Sequence, residues 1–251
     1  MSLRILGVVP ARYASSRLPG KPLVDIGGKS MVQRVVEQAL QARTLERVVV
    51  ATDDERIAEH VRGFGGEAVL TAADHPSGTD RCAEAVRLCG ADRYDAVLNI
   101  QGDEPFIAPA QIDAVCDALR DAPGGIATLA QVVTDDHDLD DAGEVMIVTD
   151  VHGDALYFSR AAIPFLRQPP ATHRHTAFRF LKHVGLYAYR TEVLARLVTL
   201  SPSPLELAES LEQLRWVENG HKVRVALTTH PSFCVDTPAD LEEARRRAAG
   251  S

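Results

Sequence analysis

Arg12, Arg17 and Lys21 share one short stretch, Pro10-Ala11-Arg12-Tyr13-Ala14-Ser15-Ser16-Arg17-Leu18-Pro19-Gly20-Lys21-Pro22, with small residues between them and no acid. Guanidinium groups present planar forks to phosphate oxygens and an ammonium presents a point charge, so this spacing suits a polyphosphate clamp. Gly20 lets the main chain approach an anion closely. A solvated basic turn has the same composition, and the residues downstream tip the balance toward the clamp. Asp103 follows an apolar strand in Gln101-Gly102-Asp103-Glu104-Pro105, and Asp236 ends the Ser232 to Val235 segment. Magnesium is commonly held by one or two carboxylates together with substrate phosphates, so Asp103 and Asp236 are candidate metal ligands for a bound nucleotide. Each has a structural alternative: a turn acid ahead of Pro105, or a helix cap, although Thr237 suits the cap better than Asp236. Glu104 is expected behind this first layer.

Two further groups carry polar chemistry. The loop Asp74-His75-Pro76-Ser77-Gly78-Thr79-Asp80-Arg81 is rich in small hydrogen-bonding groups that can read a base, or simply cap a helix. Arg160, His183, Tyr187, Glu212 and Gln213 are mixed polar residues in apolar surroundings. Such a set fits a carboxylated sugar, with Arg160 forking onto a carboxylate and the others exchanging hydrogen bonds with hydroxyls. Spacing alone does not make them converge; surface roles for Glu212 and Gln213 and a core role for His183 stay open.

Alternating elements must position these groups. Arg4 to Val9 reads as a buried strand, Met31 to Leu40 as an amphipathic helix, and Val48 to Val50 as a second strand. Asp53 or Asp54 caps the next helix, Glu67 to Leu70 forms a strand, and Thr79 or Asp80 caps a third helix. Asp95 to Ile100 is a strand, and Pro109 opens a helix with Ile112, Val115, Cys116 and Leu119 inward. This rhythm predicts an α/β fold with a doubly wound, mostly parallel, Rossmann-like sheet. It places the cationic loop, Asp103 and the 74–81 loop at one carboxyl edge, where open sheets bind ligands.

From Ile126 the rhythm changes to Ile126 to Val133, Val145 to Thr149 and Ala155 to Phe158, with a turn at Val151 to Asp154. The expectation is one nucleotidyltransferase-type domain over 1–251 with an inserted antiparallel lobe at about 133–182. Val184 to Tyr189 is a returning strand, and Leu205 to Glu218 one helix burying Leu207, Leu211, Leu214 and Trp216 or Val217. Val223 to Leu227 is a strand, and Thr237 and Pro238 start a last helix whose Arg245-Arg246-Arg247 end complements the helix dipole.

With 251 residues and 45% hydrophobic content the chain can bury a substantial core. A net charge of −8 argues against a nucleic-acid or anionic-membrane surface, which makes the basic loop a local exception. Cys82, Cys89, Cys116 and Cys234 have no Cys-x-x-Cys spacing and read as reduced cytosolic thiols. No apolar run reaches the length of a membrane span.

The opening loop, Ser77-Gly78-Thr79, Gln101 to Pro105, Leu156 to Arg160, His183 to Tyr187, Pro204-Leu205-Glu206, Leu211 to Arg215 and Val235 to Pro238 occur in one order. Together they resemble the 3-deoxy-manno-octulosonate cytidylyltransferase (CMP-Kdo synthetase) family, over Ile5 to about Arg246. The resemblance implies transfer of a cytidylyl group from CTP to 3-deoxy-D-manno-octulosonate (Kdo), with Mg2+, in a cytoplasmic homodimer that supplies lipopolysaccharide synthesis. It implies that Ala11, Arg12 and Lys21 hold the CTP phosphates and that Ser77, Gly78 and Gln101 contact the cytidine. Asp103 and Asp236 would bind the metal, with Arg12, Lys21 and Asp103 the catalytic set, and Arg160, His183, Tyr187, Glu212 and Gln213 would bind the sugar acid. One stretch departs: where the family commonly has Asn, one residue, then Val-Lys-Val-Val, this chain has Gly143-Glu144-Val145-Met146-Ile147-Val148. That leaves room for a related sugar acid, such as an 8-amino Kdo or a sialic acid, and a CTP sensor without turnover is the alternative from another class. The role of Arg17 stays open.

Overall fold

Leu6, Val8, Val9, Val49, Val50 and Leu98 are completely buried. Short apolar runs covered on both faces are what parallel strands between helices require. The structure, a computed structural model, describes residues 3–14, 18–168 and 172–250. The chain folds as two compact units, one formed by residues up to Asp113 together with those from Ser232 onward, the other by Ala114–Pro231.

The first unit runs through β1 (Ile5–Ala11), β2 (Asp25–Ile26), β3 (Lys29–Ser30), α1 (Met31–Ala39), β4 (Arg47–Thr52), α2 (Glu55–Gly63), β5 (Ala68–Leu70), α3 (Gly78–Leu88) and β6 (Ala96–Asn99). Helix α4 (Pro109–Arg120) leads into the second unit. There follow β7 (Ile126–Val132), α5 (His137–Asp140), β8 (Met146–Thr149), β9 (Ala155–Ser159), α6 (Arg174–Ala177), β10 (Leu181–Arg190), α7 (Thr191–Leu197), α8 (Pro204–Glu209), α9 (Gln213–Glu218) and β11 (Arg224–Leu227). Helix α10 (Pro238–Ala249) returns to the first unit.

In the first unit β5, β4, β1 and β6 lie side by side, all parallel, with Val8 opposite both Val49 and Asn99. The expected α/β class with a mostly parallel sheet holds. Asp54 caps α2, and Ser77, not Thr79 or Asp80, caps α3, accepting a bond from the Asp80 N–H at 3.2 Å. In the second unit β10 is antiparallel to β7 and β8, β8 is antiparallel to β9, and β11 is parallel to β7.

The single helix expected over Leu205 to Glu218 is instead two. Ser210 takes a left-handed conformation (φ 54°) and ends α8, and α9 starts after Glu212. The break follows from Glu206, which closes the capping box at Ser203 while its carboxylate holds the Arg215 guanidinium through both Nε and Nη2. That bidentate pair needs α9 to turn back toward α8. As a result Leu207 is 69% exposed, against expectation, while Leu211, Leu214 and Trp216 are buried.

Ile26, Met31, Val235, Leu241 and Ala244 form an apolar cluster in the first unit, joined by Leu18, Val24, Phe106 and Phe233. The arginines at the end of α10 do more than complement a dipole: Arg247 stacks 3.9 Å from the Phe233 ring centre and Arg245 Nε donates to the Asp25 carbonyl at 3.1 Å. At the other end, Thr237 and Asp240 form a reciprocal capping box. Thr237→Ala is expected to lower stability by about 1 kcal/mol, the usual worth of a lost cap, measured by urea unfolding with an unchanged denaturant slope.

Candidate active site

β1 lies between β4 and β6, so the strand order runs away from it in both directions. The crevice beyond the carboxyl ends at such a point is where open α/β sheets take ligands. β1 delivers Ala11 and Arg12 there, and β6 delivers Gln101 and Asp103. The two chain segments touch: a Cβ added to Gly102 would lie 2.7 Å from the Pro10 carbonyl oxygen, a distance only glycine tolerates. Gly20, at φ 67°, turns the loop back, and its N–H donates to the Tyr13 carbonyl at 3.1 Å.

Lys21 is then carried inward on a single 3-10 turn whose Pro22 is buried. Its Nζ lies 2.8 Å from Asp103 Oδ2 and 2.9 Å from Asp236 Oδ1. The Val235 N–H donates to the Asp103 carbonyl at 2.9 Å, which sets the two aspartates in register. Burial of Lys21 works against its charge, but the charges and hydrogen bonds of Asp103 and then Asp236 outweigh this and raise its pKa. The ammonium is thus the counter-ion of the carboxylate pair. Two carboxylate oxygens that converge on one cation are also a donor set suited to a hard divalent ion.

Behind them Glu104 is 2% exposed. Burial, with the Asp103 charge adding to it, pushes its carboxyl up to about 7 against hydrogen bonds from Ser232 and Cys234. Arg12 is exposed just past β1. Ser77 Oγ, besides capping α3, donates to Asp80 Oδ2 at 2.6 Å. Gly78 sits over the end of β1, where an added Cβ would clear Pro10 Cγ by 3.6 Å and the Asn99 amide by 3.8 Å. Gln101 is half-buried. Arg17 lies outside the described residues.

The second unit holds the other polar set. A β-bulge interrupts the pairing of β10 with β7 between Val184 and Tyr187, and the His183 and Tyr187 rings lie 5.2 Å apart. Phe158 meets His183 edge-on at 5.3 Å and Trp216 meets Tyr187 at 5.1 Å. Thr128 Oγ1 is 3.0 Å from His183 Nε2 and 2.9 Å from the Leu186 carbonyl. Burial lowers the His183 pKa to about 3, so the ring is neutral. Burial also raises the Tyr187 phenol, opposed by Thr128 and reinforced by the charge of Glu212. Gln213, the first residue of α9, is buried.

Arg160 is engaged elsewhere: its Nε donates to the Glu209 carbonyl and its Nη1 to the Ala142 carbonyl, each at 3.0 Å. The unforeseen organiser of this end is Glu209, which accepts from Ser159 Oγ at 2.7 Å and from the Arg160 N–H at 2.9 Å. Those donors outweigh the cost of desolvation and lower its pKa. Glu209 lies some fifty positions from its partners in sequence, at separations of 50 and 49 residues, so no local pattern announces it. The departing stretch touches the same group, since the Val145 carbonyl accepts the His183 N–H at 2.7 Å and Glu144 pairs with Lys182 at 2.8 Å.

A family model described as cytidylyltransferase matches residues 6–223. The 3-deoxy-manno-octulosonate cytidylyltransferase of Bacteroides thetaiotaomicron is 49% identical over 245 residues, 96% of this chain and 97% of that protein. The protein of the same name from Syntrophobacter fumaroxidans is 52% identical over 241 residues, 96% of this chain and 95% of its own. The chain belongs to the cytidylyltransferase family. A solved structure of CMP:2-keto-3-deoxy-manno-octonic acid synthetase complexed with CTP superposes on this cytidylyltransferase with a TM-score of 0.90 and 43% identity, covering 98% of this chain and 99% of that one. The likeness to the 3-deoxy-manno-octulosonate enzymes and the nucleotidyltransferase fold expected from the sequence both hold, and this cytidylyltransferase is an enzyme.

The buried imidazole of this cytidylyltransferase has a measurable signature. His183 titrates near 3 in the folded chain against an ordinary 6.5, so between those values the unfolded chain binds a proton that the folded chain does not. Its contribution is complete above about pH 6.5 and is lost as pH falls, at up to about 1.4 kcal/mol per pH unit. Urea titrations from pH 7 to pH 4 are expected to give a shallower loss of stability in His183→Gln than in the parent chain.

Proposed function

We propose that this cytidylyltransferase joins CTP to Kdo, giving CMP-Kdo and diphosphate for lipopolysaccharide synthesis. The observation that carries the reading is the Lys21 ammonium held between Asp103 and Asp236 beside the ends of β1 and β6. A site that gathers one cation and two carboxylates beside a basic loop is suited to a metal-bound triphosphate. The near-full-length relatives that bear the 3-deoxy-manno-octulosonate cytidylyltransferase name support the choice of sugar acid.

In the proposed reaction the anomeric hydroxyl oxygen of Kdo forms a bond to the α-phosphorus of CTP, the bond to the leaving diphosphate breaks, and the hydroxyl proton passes to solvent. Asp103 and Asp236 would hold Mg2+, which when bound supplies charge neutralisation and lowers the pKa of the attacking hydroxyl. Lys21 exchanges its carboxylate partners for phosphate oxygens, and Arg12 adds its guanidinium from the exposed side. The Ala11 main chain borders the phosphates, while Ser77, Gly78 and Gln101 flank the cytidine. Arg160 orients the sugar carboxylate; Tyr187, Glu212 and Gln213 address its hydroxyls, with neutral His183 beneath them. Holding the two reactants in line is the larger part of such catalysis. The enzyme works as a cytoplasmic homodimer, with the 133–182 lobe in the sugar and dimer contacts. No helix among the described residues is long and apolar enough to cross a membrane.

Diphosphate release with CTP and, in turn, Kdo, 8-amino-Kdo and a sialic acid tests the reading, with Kdo expected to be turned over fastest. Release with none of them would leave a CTP-binding sensor. Asp103→Asn is expected to cut kcat by at least about a hundredfold with the circular dichroism unchanged; a near-normal rate would remove the metal assignment. Arg160→Ala is expected to raise KM for Kdo about tenfold or more and leave that for CTP within about twofold. Equal losses for both substrates would count against its carboxylate role.

A further inference from the structure

Outside the groups already described, Asp136, His173 and His175 bring three ligand atoms within 4.8 Å of one another in the second unit. His175 Nδ1 is 2.8 Å from Asp136 Oδ1, His173 Nδ1 is 3.8 Å from Asp136 Oδ2, and the two imidazole centres are 5.4 Å apart. The carboxylate is fixed rather than free to wander. It accepts the main-chain N–H groups of Arg174 and His175 at 2.8 and 2.9 Å, and so caps α6. Desolvation opposes its charge, but those N–H groups and the His175 ring outweigh it and hold its pKa down to about 2. Arg174 turns its guanidinium to Asp140, 2.7 Å away, and its Nη2 reaches the Asp136 main-chain carbonyl at 3.5 Å, so this cation pairs with Asp140 and contacts Asp136 through its main chain.

We propose that Asp136, His173 and His175 form a binding site for a divalent transition ion of the zinc class. Two imidazoles and one carboxylate are a donor set preferred by zinc, cobalt and nickel over magnesium or calcium, and three protein ligands leave a fourth position to water. Donor atoms around tetrahedral zinc lie about 3.3 Å apart, so separations of this order need only side-chain adjustment. Ligation requires neutral imidazoles with a free ring nitrogen lone pair, so coordination is tighter as pH rises. The ion would tie the start of α5 to the start of α6, beside the apolar cluster of Val133, Leu139, Met146 and Phe180. The three residues lie within the 133–182 lobe but are none of those named above for CTP, metal or sugar binding, and the assignment does not depend on the cytidylyl transfer.

The test is zinc titration of the untagged, chelator-stripped full chain in excess magnesium, with cobalt(II) as the spectroscopic probe. The parent chain is expected to take up about one zinc ion, to give visible cobalt absorption of the low-coordinate type, and to melt at a higher temperature with zinc. His173→Ala/His175→Ala is expected to lose that equivalent and the cobalt spectrum. His173→Ala alone, at a side chain 66% exposed, keeps the His175–Asp136 contact and is expected to weaken zinc at least about tenfold with the apo melting temperature unchanged. Absence of zinc uptake by the parent chain, or uptake undiminished in both variants, overturns the site.

Discussion

Two carboxylates cannot be held close together at the end of a buried sheet without a cation, and the Lys21 ammonium is what reconciles Asp103 with Asp236. Like charges about 4 Å apart repel by roughly 4 kcal/mol where the effective dielectric constant is about 20. The Lys21 side chain is 15% exposed, so its ammonium is largely shielded from water, while Asp103 at 27% and Asp236 at 36% keep contact with solvent. The surrounding architecture serves that arrangement. Leu18 and Val24, which flank Lys21, and Val235, Leu241 and Ala244, which flank Asp236, belong to the same apolar cluster, so burying one hydrophobic surface fixes both ends of the ion pair. Gly102 lets the β6 loop meet Pro10, and the Val235–Asp103 main-chain bond sets the register. Glu104, pushed up to about 7 by burial, adds less negative charge beside the pair near neutral pH than an ordinary glutamate would.

The second unit solves a different problem, that of keeping polar groups in an apolar setting. His183, Tyr187 and Trp216 pack ring against ring, and burial holds His183 neutral and Tyr187 protonated. Neutral groups forgo strong ionic attraction but incur little desolvation cost, which suits recognition of hydroxyls. Charged groups of the same unit are paired or satisfied by hydrogen bonds: Glu209 orders Ser159 and Arg160, and Glu206 orders Arg215.

Much of the geometry at the carboxyl edge of the first unit was legible because it depends on position along strands. Lys21, Asp103 and Asp236 span 215 residues, yet each follows a recognisable apolar segment, and parallel topology sends such segments to one edge. Where local chemistry had two uses the residues were ambiguous: Ser77 has the composition of a base-reading loop and of a cap, and in the structure its hydroxyl caps α3. The break at Ser210 was hidden because the apolar spacing from Leu207 to Leu214 is helical throughout. What overrides it is the pairing of Glu206 with Arg215, a tertiary contact that periodicity does not register. Glu209 and the Arg247–Phe233 stack were invisible for the same reason.

The position of Lys21 bears on how the proposed reaction would be ordered. An ammonium already seated between the two aspartates offsets one of their two negative charges before any metal arrives, which relieves the repulsion within the pair. A divalent ion that took over the carboxylates would release a lysine whose charge can no longer be satisfied there, and the phosphates of the incoming nucleotide are its natural partner. Metal and triphosphate would then bind with positive coupling, because each relieves the charge the other leaves behind. The same exchange would place the lysine where negative charge grows as diphosphate departs, without any large movement of the chain. A lysine held by two carboxylates in one state and by phosphate in the other would thus serve both the stability of the fold and the timing of the proposed chemistry, and its seat on a turn with a buried proline would suit both tasks.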